Sequence, residues 1–201
     1  MHHPPDTLHA RKRRKARAMI VSAAFQLFAE HGFDNVTVAQ IAERAEVGRT
    51  TFFRYFGDKQ QVLFADDAAE TERMCAHVRE NADRPVGADL PAALELLRGA
   101  GAAVRPHTAL SPAHSAVLTR LLRESADLRS RYLLTRQQRA NRLAGALVEA
   151  DTAENVAVLA AHTAMACELT AMRLAETPEV FPVRLEEAHG LLRTLGDRTA
   201  S

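Results

Sequence analysis

The stretch VGRTTFFRYFGDK, residues 47–59, gathers two arginines, two threonines, a lysine and four aromatics, in a chain with only eight Phe, two Tyr and no Trp. Arg49 and Arg54 carry guanidinium forks whose geometry suits the O6/N7 edge of guanine. Thr50 and Thr51 bring hydroxyls for bases or phosphates, and Tyr55 brings a phenol for a phosphate. Lys59 adds a cation at a helix start, where backbone N–H groups already favour an anion. Upstream, Thr37 offers its hydroxyl and nearby amides to a phosphate backbone. Elsewhere the chemistry is thin. The nine histidines are scattered, and neither a nucleophile–His–acid arrangement nor a Gly-rich phosphate loop appears. Cys and His nowhere fall at zinc-ligand spacing. An enzyme, a cofactor and a metal are therefore not expected.

These side chains are useful only if something holds them. Placed on a helix at about 100° per residue, Phe52 and Phe56 share one face with Phe53 at its border, while Thr50, Thr51, Arg54 and Tyr55 point the other way. A helix of two turns is not stable alone in water, so the aromatics must anchor it to neighbouring helices. The upstream sequence supplies them. A first helix is expected from about Arg13 to Glu30, with Ile20, Ala23, Ala24, Leu27, Phe28 and His31 at helical spacing and Gly32 as its stop. A second starts at Thr37, where Thr37 and Gln40 fit a capping box, and ends near Ala45. A four-residue turn at 45–48, with Val47 as plug, leads to a third helix at Arg49–Tyr55. This is a helix-turn-helix, whose second helix enters the DNA major groove N-terminal end first.

Downstream, Asp58 is expected to cap a long fourth helix reaching about Asp83. Further helices follow near 89–104, 112–124, 126–149, 154–176 and 182–196, separated by Pro106, the Ser125 region, Asp151-Thr152 and Pro178 to Pro182. The fold class is all-α, about nine helices: a flexible basic arm at 1–12, a three-helix DNA-binding domain at 13–65 and a helical sensing and dimerisation domain at 66–201. Charge follows this division. Residues 1–65 hold ten Lys and Arg against six Asp and Glu, and residues 66–201 hold sixteen against nineteen, so a head of +4 joins a body of −3. Six of the ten basic residues lie between Arg11 and Arg17, placed to follow phosphates or an adjacent minor groove. Eight of the ten aromatics precede residue 65. A head locked by large rings suits accurate presentation, and a body of Ala, Leu and Met suits adjustment.

The run RKRRKARAMIVSAAFQLFA imitates a signal peptide. Gln26 and Glu30 interrupt its apolar part, however, and its periodicity is helical. The Ala-rich stretch 156–167 is too short to span a bilayer. A cytoplasmic protein without membrane contact is expected, with Cys75 and Cys167 as small buried residues rather than a disulfide framework.

The segment TVAQIAERAEVGRTTFFRYFGDKQQVLF, residues 37–64, closely resembles the DNA-binding domain of the TetR family of bacterial regulators. It shares the T-x-x-x-I-A start, the A-x-V turn, the T-x-aromatic-x-Y-F helix and the K-x-x-x-L opening of the next helix, over roughly residues 15–65. The resemblance implies DNA contacts at Thr37, Arg49, Thr50, Thr51, Phe53, Arg54, Tyr55 and Lys59. It also implies a homodimer on a palindromic double-stranded DNA operator, a small-molecule effector, and a repressor released by that effector. An activator of the same family or a non-specific DNA-binding protein is the alternative. Three positions depart from the family pattern. Glu46 stands where Gly is usual, and a left-handed Glu46 costs about 1–2 kcal/mol. Gly48 replaces a Ser-like cap. Phe53 replaces a Tyr, which removes one phosphate hydrogen bond.

Two stripes on the last helices are candidates for the dimer interface: Leu159, Thr163, Cys167, Thr170 and Leu174, then Leu185, Ala188, His189, Leu192 and Leu195. Their alternative role is internal core. A further face carries Ala161, Met165, Glu168 and Met172. A carboxylate between two methionines must be paired or hydrated, by an Arg of the 126–149 helix or by a ligand. Met74, Cys75, Val78, Leu118, Leu122, Tyr132 and Arg136 are candidate walls of such a pocket. In the family mechanism, ligand occupancy tilts the two heads and spoils their spacing of about 34 Å. A coupling of about 1–3 kcal/mol is enough for a switch.

Overall fold

A computed structural model describes residues 7–82, 85–105 and 111–197, apart from the side chains of residues 10 and 195–197. Among the described residues there are ten helices and no strand. They are α1 Leu8–His31, α2 Val38–Arg44, α3 Arg49–Tyr55, α4 Lys59–Leu63, α5 Asp67–Asn81, α6 Leu90–Val104, α7 Pro112–Glu124, α8 Ala126–Glu149, α9 Glu154–Leu174 and α10 Phe181–Asp197. The all-α class is thus as expected, with two differences in detail. The first helix begins at Leu8, so the basic run 11–17 lies on α1. The first six residues of the expected arm, together with Asp83 and Pro106, lie outside the described residues.

The long fourth helix is in fact two. The last turn of α4 tightens, with the N–H of Phe64 on the carbonyl of Gln61 and that of Ala65 on Val62, both at 3.3 Å. At this break the Arg17 guanidinium donates to the Ala65 carbonyl. Asp67 and Glu70 then provide the acidic first turn of α5, where the helix dipole favours them.

Contacts divide the chain into two compact units. One comprises the residues up to Ala65 with Arg120–Leu128, and the other comprises Asp66–Thr119 with Arg129 onward. In the first, α1 buries Ile20, Ala24, Phe25 and Phe28, α2 buries Ile41 and Ala42, and Phe52, Phe56, Val62 and Leu63 complete the apolar interior. The side chains of Arg44 and Glu30 fork together at 3.1 and 3.2 Å across α2 and α1. Arg120 Nη2 donates to the Phe28 carbonyl at 3.0 Å.

The second unit is built on small residues. Met74, Cys75 and Val78 of α5, Ala93, Leu97 and Ala100 of α6, Leu143 and Leu147 of α8, and Ala157, Ala160, Ala161 and Met165 of α9 form one buried cluster. Alanine at these positions lets helix axes come close, so the interior fills without large rings. A smaller cluster joins Cys167 and Ala171 of α9 to Leu185 of α10, with Phe181, Ala188 and Leu192 against it. The loop before α6 is clasped to the α8–α9 turn by Gly87 N–H on the Asp151 carbonyl at 3.0 Å and Ala153 N–H on the Gly87 carbonyl at 2.8 Å. No helix among the described residues is long and apolar enough to cross a membrane.

Candidate nucleic-acid interface

The site is assembled from its supports outward. Thr37 is extended, with φ −101° and ψ 156°, and forms the full capping box of α2. Its Oγ1 accepts from Gln40 N–H at 3.3 Å and donates to Gln40 Oε1 at 2.9 Å, while its own N–H donates to Oε1 at 2.8 Å. At the other end of α2, Val47 N–H reaches back to the Ala42 carbonyl at 2.9 Å, and Glu46 N–H reaches the Glu43 carbonyl at 3.0 Å. That pair of bonds is a Schellman motif, which requires a left-handed residue at Glu46. Glu46 takes φ +53°. The strain anticipated at this departure from the family pattern is therefore present. Gly48 does not absorb it: its φ of −69° and ψ of 149° are ordinary extended values, and it starts α3 without a side-chain cap.

α3 is anchored by Phe52 and Phe56, which are 0% and 3% exposed, whereas Phe53 is 50% exposed. Phe53 stands edge-on to Phe52 at 5.5 Å between centroids, and Phe52 lies 5.8 Å from Phe56. Arg49, Thr50 and Arg54 are exposed, and Thr51 and Tyr55 are half-buried. The Arg54 guanidinium lies 5.4 Å from the Tyr55 ring centre and its Nη2 is 3.5 Å from Thr51 Oγ1. Six of the sequence-derived candidates, Arg49, Thr50, Thr51, Phe53, Arg54 and Tyr55, thus share one short helix whose other side is fixed in the core. The aromatic anchoring explains why a chain poor in rings concentrates them here.

Lys59 has another occupation. Its Nζ donates to the carbonyls of Phe33 at 2.7 Å, Val36 at 2.9 Å and Asp34 at 3.4 Å, and sits 4.4 Å from the Phe33 ring centre. Burial lowers its pKa, with Asp34 opposing. The three ammonium hydrogens are matched to three carbonyls, so Lys59 ties the α1–α2 loop to the start of α4. Sequence reasoning also missed Arg17, which packs 5.5 Å over the Phe56 ring; its place within a basic run masks it.

The candidate pocket residues divide. Met74, Cys75, Val78 and Met165 belong to the packed cluster of the second unit. Tyr132, Arg136 and Glu168 instead meet in an ionic network: Arg136 lies 4.9 Å over the Tyr132 ring. Arg136 and Arg139 both engage Asp67, Arg139 reaches Glu70 at 2.7 Å, and Glu168 Oε2 lies 3.7 and 3.8 Å from the two guanidiniums. Arg139 Nε donates to Thr71 Oγ1 at 3.1 Å. Burial, then the Arg139 charge, depress the Arg136 pKa, and Glu168 opposes them. Burial of Tyr132, reinforced by Glu168, raises the pKa of its phenol. Met172 is half-buried, and Leu118 and Leu122 fall in different units.

The proposed dimer stripes divide too. Leu159 and Leu174 are 53% and 55% exposed, and Thr170 is exposed. Cys167, Leu185 and His189 are buried within the chain, Thr163, Ala188 and Leu192 are half-buried, and the Leu195 side chain lies outside the described residues. Val183 and Leu191 of α10 are exposed.

Residues 20–65 match the model of a family described as bacterial regulatory proteins, tetR family. The HTH-type transcriptional regulator TcmR of Streptomyces glaucescens is 37% identical over 83 residues, covering 40% of this chain and 37% of the relative. The HTH-type transcriptional repressor AcnR of Corynebacterium efficiens is 35% identical over 66 residues, covering 33% and 35%. The chain therefore spans well under half the length of these curated relatives. Among solved structures, a TetR-family regulator from Syntrophomonas wolfei aligns with a TM-score of 0.56 at 19% identity, covering 89% of this chain and 95% of that one. That likeness concerns the fold.

Proposed function

We propose, on the premise that residues 20–65 carry the DNA-binding domain of the tetR family of bacterial regulatory proteins, that this chain is a ligand-responsive transcriptional repressor. It acts as a homodimer on a palindromic operator, in the cytoplasm, and catalyses no reaction. The observation that carries the reading is the patch of α3: Arg49, Thr50 and Arg54 exposed on a two-turn helix whose Phe52 and Phe56 are buried. In this reading Arg49 and Arg54 read guanine edges. Thr50, Thr51 and Tyr55 hold bases or phosphates, and Phe53 packs against sugars or a thymine methyl group. Thr37 presents the start of α2 to a phosphate. The partner copy docks on the exposed face of α9 and α10, at Leu159, Thr170, Leu174, Val183 and Leu191. Effector binding belongs to the second unit, around Tyr132, Arg136, Glu168 and Met172.

The test is selection from random duplex DNA followed by sequencing of the bound fraction. A two-fold motif supports the reading. Binding without an enriched motif replaces it with non-specific DNA coating. In a motif-selecting protein, Arg54→Ala relaxes preference at one position per half-site, at a cost of about 1–3 kcal/mol.

A further inference from the structure

We infer that the second unit takes a small organic cation, with Glu168 of α9 as its counter-ion; the inference rests on the effector-responsive reading above and names the ligand class of that site. The buried network around α8 is unevenly bonded. Towards α5 it is well made: Asp67 accepts from both Arg136 and Arg139, Glu70 accepts from Arg139 at 2.7 Å, and Arg139 Nε donates to Thr71 Oγ1 at 3.1 Å. Towards α9 it is not. Glu168 Oε2 stays 3.7 and 3.8 Å from Nη1 of the two guanidiniums, beyond hydrogen-bond reach. Arg136 Nε is buried with no hydrogen-bond partner among the described residues. A donor and a carboxylate, both withdrawn from most of their water, are thus left to be satisfied on one side of an otherwise bonded cluster.

Charge decides what completes it. Asp67 and Glu70 match the two guanidiniums, so Glu168 is one negative charge in excess, three carboxylates against two arginines. A bound anion would double that excess in a poorly solvated place, whereas a monocation removes it. The Glu168 side chain is 18% exposed, against 11% and 3% for Arg136 and Arg139, so the carboxylate can be reached while the guanidiniums are nearly covered. A metal ion is a poor fit. Among the described residues no group of three or more His, Cys, Asp or Glu is placed to hold one, and two guanidiniums repel it. Met172, one turn after Glu168, is half-buried, and Met165, three residues before it, is buried. An apolar body can therefore lie on polarizable side chains beside the carboxylate. An oxygen acceptor on the same ligand would complete Arg136 Nε. The class is an ammonium or amidinium carried on an apolar skeleton.

The experiment uses the full chain and probes that share one skeleton and differ only in end group: phenoxyethylammonium, phenoxyethanol and phenoxyacetate, with hexylammonium, hexanol and hexanoate as an alkyl set. Affinities are measured by calorimetry at neutral pH for the wild type, Glu168→Gln and Glu168→Asp, and each probe is then tested for release of the protein from its selected duplex. The ammonium member of at least one set binds about tenfold or more tightly than its partners, as a charge-assisted hydrogen bond requires. Glu168→Gln removes that preference and Glu168→Asp keeps it. A preference for hydroxyl or carboxylate, no binding by any member, or an ammonium preference that survives Glu168→Gln overturns the cation site. Should Glu168→Gln fail to fold, the end-group preference of the wild type and of Glu168→Asp still decides. The effector reading is judged separately. Cation binding that leaves duplex affinity unchanged refutes that reading and leaves the site standing, whereas release by the neutral or anionic members alone keeps the reading and overturns the cation.

Discussion

Glu46 occupies the left-handed position of the Schellman motif that ends α2, at φ +53°, and Glu46→Gly tests whether that motif is strained. The left-handed conformation costs an L-residue about 1–2 kcal/mol. Glycine removes that cost but brings about 0.5–1 kcal/mol of extra unfolded-state entropy. The net expectation is a gain of about 0.5–1 kcal/mol. Gly48→Ser supplies the companion change. A Cβ at Gly48 meets nothing within 4 Å, its backbone already has N-cap values, and α3 has no side-chain cap. A serine there adds a hydrogen bond to an amide of the first turn and reduces unfolded-state entropy, together worth about 0.5–1.5 kcal/mol. For a chain of this size each kcal/mol raises the melting temperature by about 2–4 °C. Thermal and urea unfolding of both single variants and the double gives the answer, and the double is needed because residues two apart in one turn can couple. A Glu46→Gly protein less stable than wild type refutes the reasoning: the Glu46 side chain then contributes more than its backbone costs.

Lys59→Met keeps the apolar stem but removes the ammonium from the Val36 carbonyl and leaves the Phe33 carbonyl only the Val36 N–H at 3.3 Å, and we expect a loss of about 2 kcal/mol in urea unfolding. Because the ammonium is spent on the loop, the salt slope of DNA binding should stay at the wild-type value; a drop of about one unit instead identifies a phosphate contact. Arg139→Ala leaves Glu70 without its guanidinium partner and Asp67 with Arg136 alone, and should cost about 3 kcal/mol, read from the second unit's unfolding transition. Burial lowers the pKa of His189; Arg98 and Arg193 add to the effect, and Glu186 and Glu95 oppose it. The folded state then binds fewer protons than the unfolded, so stability is full above the unfolded pKa of about 6.5 and is lost as pH falls below it. His189→Gln should flatten the stability profile between about pH 7 and 5; an unchanged profile assigns the slope to other groups, such as His114, whose pKa burial also lowers.

The local signals of the first unit were legible because each is decided within one or two turns of chain. Thr37 with Gln40, Gly32 after α1, and Phe52 with Phe56 against Arg49, Thr50 and Arg54 are patterns of three or four residues, and their geometry follows from backbone rules alone. The all-α class and the ends of α6 to α10 were legible from periodicity for the same reason. Tertiary structure decided which cations are available. Arg17 reaches a carbonyl 48 residues away, Lys59 one 26 away and Arg120 one 92 away. Each looks in sequence like any other basic residue, because a charge carries no record of its distant partner. The break between α4 and α5 was hidden likewise; it falls beside the Ala65 carbonyl that Arg17 meets from 48 residues away. Cys167, read in one stripe with Leu159 and Leu174, and Leu185, read in the stripe of the last helix, are buried against each other's helices inside the chain. Helical spacing says which residues share a face; only packing decides whether that face meets the chain's own core or is left exposed.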